Sequence, residues 1–225
     1  MPLIKKEMEY ISVFDMLKIG VGPSSSHTLG PWRAAEKWLE GFDASKITQI
    51  KDIKVDLYGS LSLTGKGHAT DSAVILGLSG ADPETIPVAD IPSILGAVQA
   101  NLTIQLGGKY EAPFNPLQDI RFNADFLPFH SNGMQFTATF EDDSQYIEKY
   151  YSIGGGFIIQ EKHLEEAVEI QNAGTYPYPI QQAKDLTKYC NSSNMLISEI
   201  VFENEKMLRS EVEIDAEIKR VWETM

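Results

Sequence analysis

A chain of 225 residues with 43% hydrophobic composition carries enough apolar material for one substantial core, or one core and a smaller satellite. Thirty-two acidic against nineteen basic side chains leave a formal charge of −13 with no local basic cluster, which repels phosphate backbones and anionic lipid and argues against nucleic acid as a partner. No run approaches the roughly 18 apolar residues that span a bilayer, and Met-Pro-Leu-Ile-Lys-Lys-Glu at the N-terminus has no apolar stretch after its lysines, so a cytoplasmic protein without membrane association is expected.

In chain order, Ile11 to Ile19 reads as a short amphipathic helix with Val13, Phe14 and Leu17 on its apolar side, broken by Gly20 and Gly22-Pro23. After the polar run Ser24 to Thr28, Pro31 to Leu39 restores a helical period, with Trp32, Ala35, Trp38 and Leu39 sharing a face. Ile53 to Tyr58 alternates like a half-buried strand that Gly59 ends. The glycine-rich loop Thr64 to His68 empties into a helix carrying Ala73, Val74 and Leu76, for which Thr70 or Asp71 supplies the cap. Asp90 caps a segment from Pro92 to Leu102, and Thr103 to Leu106 extends as a strand or continues that segment.

Further along, Phe126 to His130 and Met134 to Phe140 flank Ser131-Asn132-Gly133, and Asn-Gly between two apolar runs predicts a hairpin. Ile147 to Ser152 leads to Gly154-Gly155-Gly156, where chain or ligand approaches too closely for a Cβ, and Phe157-Ile158-Ile159 resumes strand character. From Gln181 the texture is helical, over Gln181 to Tyr189, Met195 to Leu208 and Val212 to Trp222. Ile197, Val201 and Leu208 form one stripe, and Ile214, Ile218, Val221 and Trp222 another. This tail reads equally as a connector awaiting something to pack on and as a self-contained helical cap.

Two segments crowd reactive groups together. In Gly22-Pro23-Ser24-Ser25-Ser26-His27-Thr28, hydroxyl donors and the start of the next helix hold a carboxylate without a full positive charge, and His27 shuttles a proton near neutrality. The bland alternative is a capped serine-rich turn with a surface histidine. In the second segment, five residues separate Gly59 from Gly65-Lys66 where a phosphate loop wants four, and Gly67 stands where the magnesium-binding hydroxyl belongs, so nucleotide binding is excluded. There Lys66 suits a substrate carboxylate and His68 proton transfer, unless the segment is merely a glycine loop with a capping aspartate. Asn132 serves the predicted hairpin turn or points its amide at a ligand, and His163 reads as a solvated helix residue. Cys190, the only cysteine, reads as a small buried hydrophobe and excludes a disulfide framework. No Gly-x-Ser-x-Gly, His-Glu-x-x-His or strand-linked Gly-x-Gly-x-x-Gly occurs, which removes the anchors for hydrolase, zincin and dinucleotide readings.

Taken together, Ser12-Val13-Phe14-Asp15, Gly22 to Thr28 with Gly30-Pro31, Tyr58-Gly59-Ser60-Leu61, Thr64 to His68 with Thr70-Asp71, His130 to Met134 and Ser152 to Phe157 resemble, in the same order, the β domain of bacterial iron–sulfur L-serine dehydratases. The stretch from Tyr176-Pro177-Tyr178-Pro179 through Asn204-Glu205 to Trp222 is similar to the join between β and α domains in single-chain members. The resemblance implies a β domain over residues 1–175, then a helical connector and the start of an α domain over 176–225. It implies a mixed-sheet α/β sandwich like the allosteric substrate-binding domain of some D-3-phosphoglycerate dehydrogenases, with a helical C-terminal extension. It further implies dehydration and deamination of L-serine to pyruvate and ammonia at a [4Fe–4S] cluster held by an α domain, in the same polypeptide or as a separate subunit, and assembly as a homodimer. By resemblance, His27 and His68 are the proton-transfer candidates, with either as the base. Ser24, Ser25, Ser26 and Thr28 line the substrate carboxylate, and Lys66 and Asn132 are further substrate contacts. One cysteine supplies too few thiolates for such a cluster, so this chain alone is expected to bind none and to be inactive. A stand-alone regulatory module binding serine or a related small acid is the alternative.

Overall fold

The computed structural model describes residues 11–164 and 176–225. They fall into two compact units: Gly20–Leu164 is one, and the described residues before Gly20 and from Tyr176 onward form the other. The expected boundary between 175 and 176 borders residues outside the described set. Residues 11–19, assigned to the first domain on sequence, belong to the second unit.

In Gly20–Leu164 the strands are β1 (Ile50–Tyr58), β2 (Thr103–Leu106), β3 (Tyr110–Pro113), β4 (Ile120–Asn123), β5 (Gly133–Phe140), β6 (Gln145–Gly154) and β7 (Phe157–Gln160). Five form a mixed sheet in the order β4-β1-β5-β6-β7, with β1 parallel to β4 and the other pairs antiparallel, while β2 and β3 pair separately. The longer helices are α1 (Gly30–Leu39), α2 (Thr70–Leu78) and α3 (Ile91–Asn101).

The alternation of β1 decides which face is dry. Ile53, Val55 and Leu57 are buried in one cluster with Ala34, Ala35 and Trp38 of α1 and Val74, Ile75 and Leu78 of α2. On the opposite face Lys54 pairs with Asp119 and Asp52, and Asp56 pairs with Arg121 and Asn123. An antiparallel-rich sheet with one apolar and one polar face is the expected outcome of such alternation. Trp38, wholly buried, stacks on Phe136 of β5 with centroids 5.5 Å apart. Helix α1 approaches α2 closely at Gly77, where a Cβ would stand 2.5 Å from the Trp32 carbonyl.

Several expectations are corrected here. Ser131-Asn132-Gly133 is not a hairpin tip: residues 126–132 form no strand, and the β5–β6 hairpin turns instead at residues 141–144. Neither Asn132 nor Gly133 adopts the positive φ that an Asn-Gly hairpin turn requires, whereas Asp143 does. Neither Thr70 nor Asp71 caps α2. Ala69, with φ of 53°, precedes the helix, and the Thr70 hydroxyl is engaged elsewhere. Asp90 makes no side-chain cap to α3 either.

The second unit contains a single helical turn, Val13–Met16, and helices α4 (Ala183–Ser193), α5 (Ile197–Glu205) and α6 (Glu211–Thr224). Buried Glu205 accepts hydrogen bonds from Ser12 Oγ at 2.8 Å and Val13 N at 2.9 Å and pairs with Arg209, which keeps the buried carboxylate compensated. The proposed stripe of Ile197, Val201 and Leu208 is not the buried one. Helix α5 ends before Leu208 and buries Ile200, Asn204 and Glu205, leaving Ile197 exposed. Cys190 is a half-buried free thiol of α4 rather than a core residue.

Candidate functional site

Ser24 is extended, and its hydroxyl accepts from His27 N at 3.2 Å. It thereby opens a single π-helical turn, Ser25–Leu29, closed by Gly30 N on the Ser25 carbonyl. Hydrogen bonds that span one residue more than those of an α-helix form a geometry that recurs at functional sites. Gly22 makes the entry possible: its φ is +118°, and a Cβ there would overlap the Thr28 methyl. The turn uses the N–H groups of His27, Thr28, Leu29 and Gly30 on Ser24 and Ser25, so only the hydroxyls and the earlier part of the turn remain for an anion.

The turn presents His27 inward. Ser26 Oγ lies 2.9 Å from its Nδ1, and Ser60 Oγ lies 2.9 Å from its Nε2. Ser60 stands just after Gly59 at the end of β1, at the start of the helical turn Ser60–Leu63. The chain then winds through a 3-10 turn, Gly65–His68, which sets the His68 Nδ1 2.9 Å from the Thr64 carbonyl. The two imidazoles meet with centroids 4.9 Å apart at 36°. A carbonyl only accepts, so His68 Nδ1 carries the hydrogen and the neutral ring keeps its lone pair on Nε2. Serine hydroxyls both donate and accept, so His27 has no such fixed tautomer.

Two hydroxyls cross between the segments. Thr28 Oγ1 donates to the His68 carbonyl at 2.9 Å, and Thr70 Oγ1 donates to the His27 carbonyl at 2.7 Å. The His27 ring is held below its ordinary value of 6.5, first by burial and then by the neighbouring His68 charge, with hydrogen bonding to Ser60 acting the other way. His27 is therefore neutral at physiological pH.

Ser24, Ser26, His27, Thr28 and His68 are thus linked by hydrogen bonds and ring contact, while the Ser25 side chain is exposed in the same turn and makes no hydrogen bond among the described residues. Lys66 shares the His68 turn but is exposed, with Nζ 5.4 Å from the Phe122 ring centroid. Asn132 is reached only through the backbone, where Ser60 N donates to the Ser131 carbonyl. Its Nδ2 donates to the Ser152 carbonyl at 3.1 Å, while Oδ1 is buried without a partner among the described residues. Sequence reasoning missed Ser60 and the part played by Thr70. The signals for Ser60 were its place directly behind the glycine that ends a strand and its inclusion in the Tyr58-Gly59-Ser60-Leu61 segment of the resemblance. Among the described residues no group of three or more His, Cys, Asp or Glu side chains is placed to hold a metal ion.

A family model described as serine dehydratase beta chain matches residues 12–163. L-serine dehydratase 1 of Escherichia coli (strain K12) is 42% identical over 217 residues, covering 96% of this chain and 47% of that protein. L-serine dehydratase of Haemophilus influenzae is 40% identical over 219 residues, covering 96% and 48%, and that of Helicobacter pylori is 33% identical over 220 residues, covering 97% and 48%. The chain spans about half the length of the curated relatives it matches. With the crossed histidine segments, the strand that separates them and the Asn132 loop all inside the matched span, the chain belongs to the serine dehydratase beta chain family.

Proposed function

We propose that this chain is the proton-transfer side of an L-serine ammonia-lyase that dehydrates and deaminates L-serine to pyruvate and ammonia. Its complement is an α domain, in the same polypeptide or as a separate subunit, that holds a [4Fe–4S] cluster. The residues present here do not fit such a cluster, since Cys190 is the only cysteine and lies in the other compact unit from the histidines. No step is therefore assigned to the cluster. The likeness to the allosteric substrate-binding domain of D-3-phosphoglycerate dehydrogenases belongs to the same proposal, as does assembly into a homodimer in the cytoplasm.

The observation that carries the reading is the unequal hydrogen bonding of the imidazole pair. His68 Nδ1 is committed to a carbonyl, and its Nε2 makes no hydrogen bond among the described residues. It is the nitrogen ready to take the Cα proton of serine. Both nitrogens of His27 are occupied by hydroxyls, which suits it to orient Ser26 and Ser60. Ser25, exposed, and Ser24 and Ser26, half-buried, offer hydroxyls to the substrate carboxylate, with Lys66 at the rim.

In the complete enzyme, His68→Gln is expected to lower kcat for L-serine by roughly 10²- to 10⁴-fold with little change in KM, the usual cost of removing a positioned base. Steady-state kinetics on the two proteins test this. A variant that keeps near-normal kcat rejects His68 as base, and a complete wild-type enzyme that fails to produce pyruvate from serine rejects the reaction. Saturable, tight L-serine binding to the 225-residue chain alone, measured by calorimetry, would favour the regulatory module instead.

A further inference from the structure

The threonines Thr28 and Thr70 each follow a histidine closely, yet each serves the other one. Thr28, adjacent to His27, donates to the His68 carbonyl, and Thr70, two residues after His68, donates to the His27 carbonyl. Thr28 is 4% exposed and Thr70 wholly buried, so losing either hydroxyl removes a hydrogen bond that is partly shielded from water. A threonine hydroxyl has one hydrogen to give, and both have given it to backbone. Neither retains a hydrogen for a carboxylate. The branched side chain adds stiffness, and the Thr28 methyl fills the space that Gly22 leaves open.

We infer that Thr28 and Thr70 are positioning residues: a reciprocal pair that sets the separation of the two imidazoles, with Thr28 making no substrate contact of its own. The inference rests on the proton-transfer reading above, but its first test needs no turnover. In the 225-residue chain, the ring protons of His27 and His68 are titrated by NMR in wild type, Thr28→Val, Thr70→Val and Thr28→Ser. Valine keeps the shape and removes the donor, so burial of His27 stays as it is while the His68 charge recedes. The His27 midpoint is expected to move upward in each valine variant and to return in Thr28→Ser. Lys66 and Asp71, the charged residues on the same segments, are common to all four proteins. In the complete enzyme, Thr28→Val is expected to lower kcat for serine roughly 10- to 100-fold at unchanged KM, the scale of a small misplacement of reacting groups.

Folded valine variants whose His27 midpoint matches wild type overturn the inference. So does a Thr28→Val enzyme with raised KM and normal kcat, which would make Thr28 a substrate contact. Loss of fold in both valine variants overturns it as well, since the hydroxyls would then serve the fold alone. Absence of serine turnover in the wild-type complete enzyme counts against the proposed reaction and leaves the histidine titration to decide the pair.

Discussion

At the scale of single residues, His27 couples the site to pH. Its folded value lies below the 6.5 of a free histidine, so the unfolded chain binds a proton that the folded chain resists. Stability therefore rises with pH through this group. Its unfavourable contribution is absent above 6.5 and grows as pH falls from 6.5 toward the lower folded value. Replacing His27 with Gln is expected to flatten the fall in melting temperature across that acidic window and to leave the curve above pH 7 unchanged, as thermal melts at a series of pH values would record. The density of hydroxyls and imidazole in Ser24 to Thr28 is local information, so the sequence exposes it. The Ser60 partner of His27 lies 33 residues away and becomes visible only when β1 returns the chain to the π turn.

Among elements, the alternation of β1 and the apolar period of α1 are legible because each is written in consecutive residues and each buries one face. The Asn132-Gly133 turn is misleading for the opposite reason. That dipeptide encodes a hairpin only when both residues take positive φ, and here pairing of β5 with β1 and β6 pulls Gly133 into the strand. Gly77 illustrates how packing overrules propensity. In an exposed helix interior, Gly→Ala gains about 1 kcal/mol. In α2 the added Cβ would meet the Trp32 carbonyl at 2.5 Å and the Ala35 Cβ at 2.8 Å, and backbone does not yield as a flexible side chain does. Gly77→Ala is accordingly expected to destabilise the protein by about 1–3 kcal/mol, measured by chemical denaturation. A gain in stability would mean that α1 and α2 separate easily.

For the molecule as a whole, the second unit leaves a group of apolar side chains exposed, Leu196, Ile197, Met207, Val212, Ile218 and Trp222 among them. A cleft of ≈ 380 Å³ is lined by Val13, Phe14, Val201, Phe202, Ile218 and Trp222 among others, and Trp222 is 76% exposed. Such a surface calls for a covering partner. A second copy of this chain, as in the homodimer proposed above, is the partner that self-association reads out. Trp222→Glu is expected to reduce concentration-dependent association of the 225-residue chain in sedimentation velocity while leaving the fold of Gly20–Leu164 intact by NMR. Association that persists unchanged would direct attention to another face.

The crossed bonds of Thr28 and Thr70 bear on how the chain tolerates change. Because each loop supplies the clasp for its opposite number, neither is a replaceable cassette. A graft of residues 22–30 has to bring both a hydroxyl at 28 and a carbonyl at 27 into the place that residues 59–71 expect. Each clasp closes on main chain, so its tolerance of change turns on the donor at 28 or 70 and on where the facing loop holds its carbonyl, across the whole of β1.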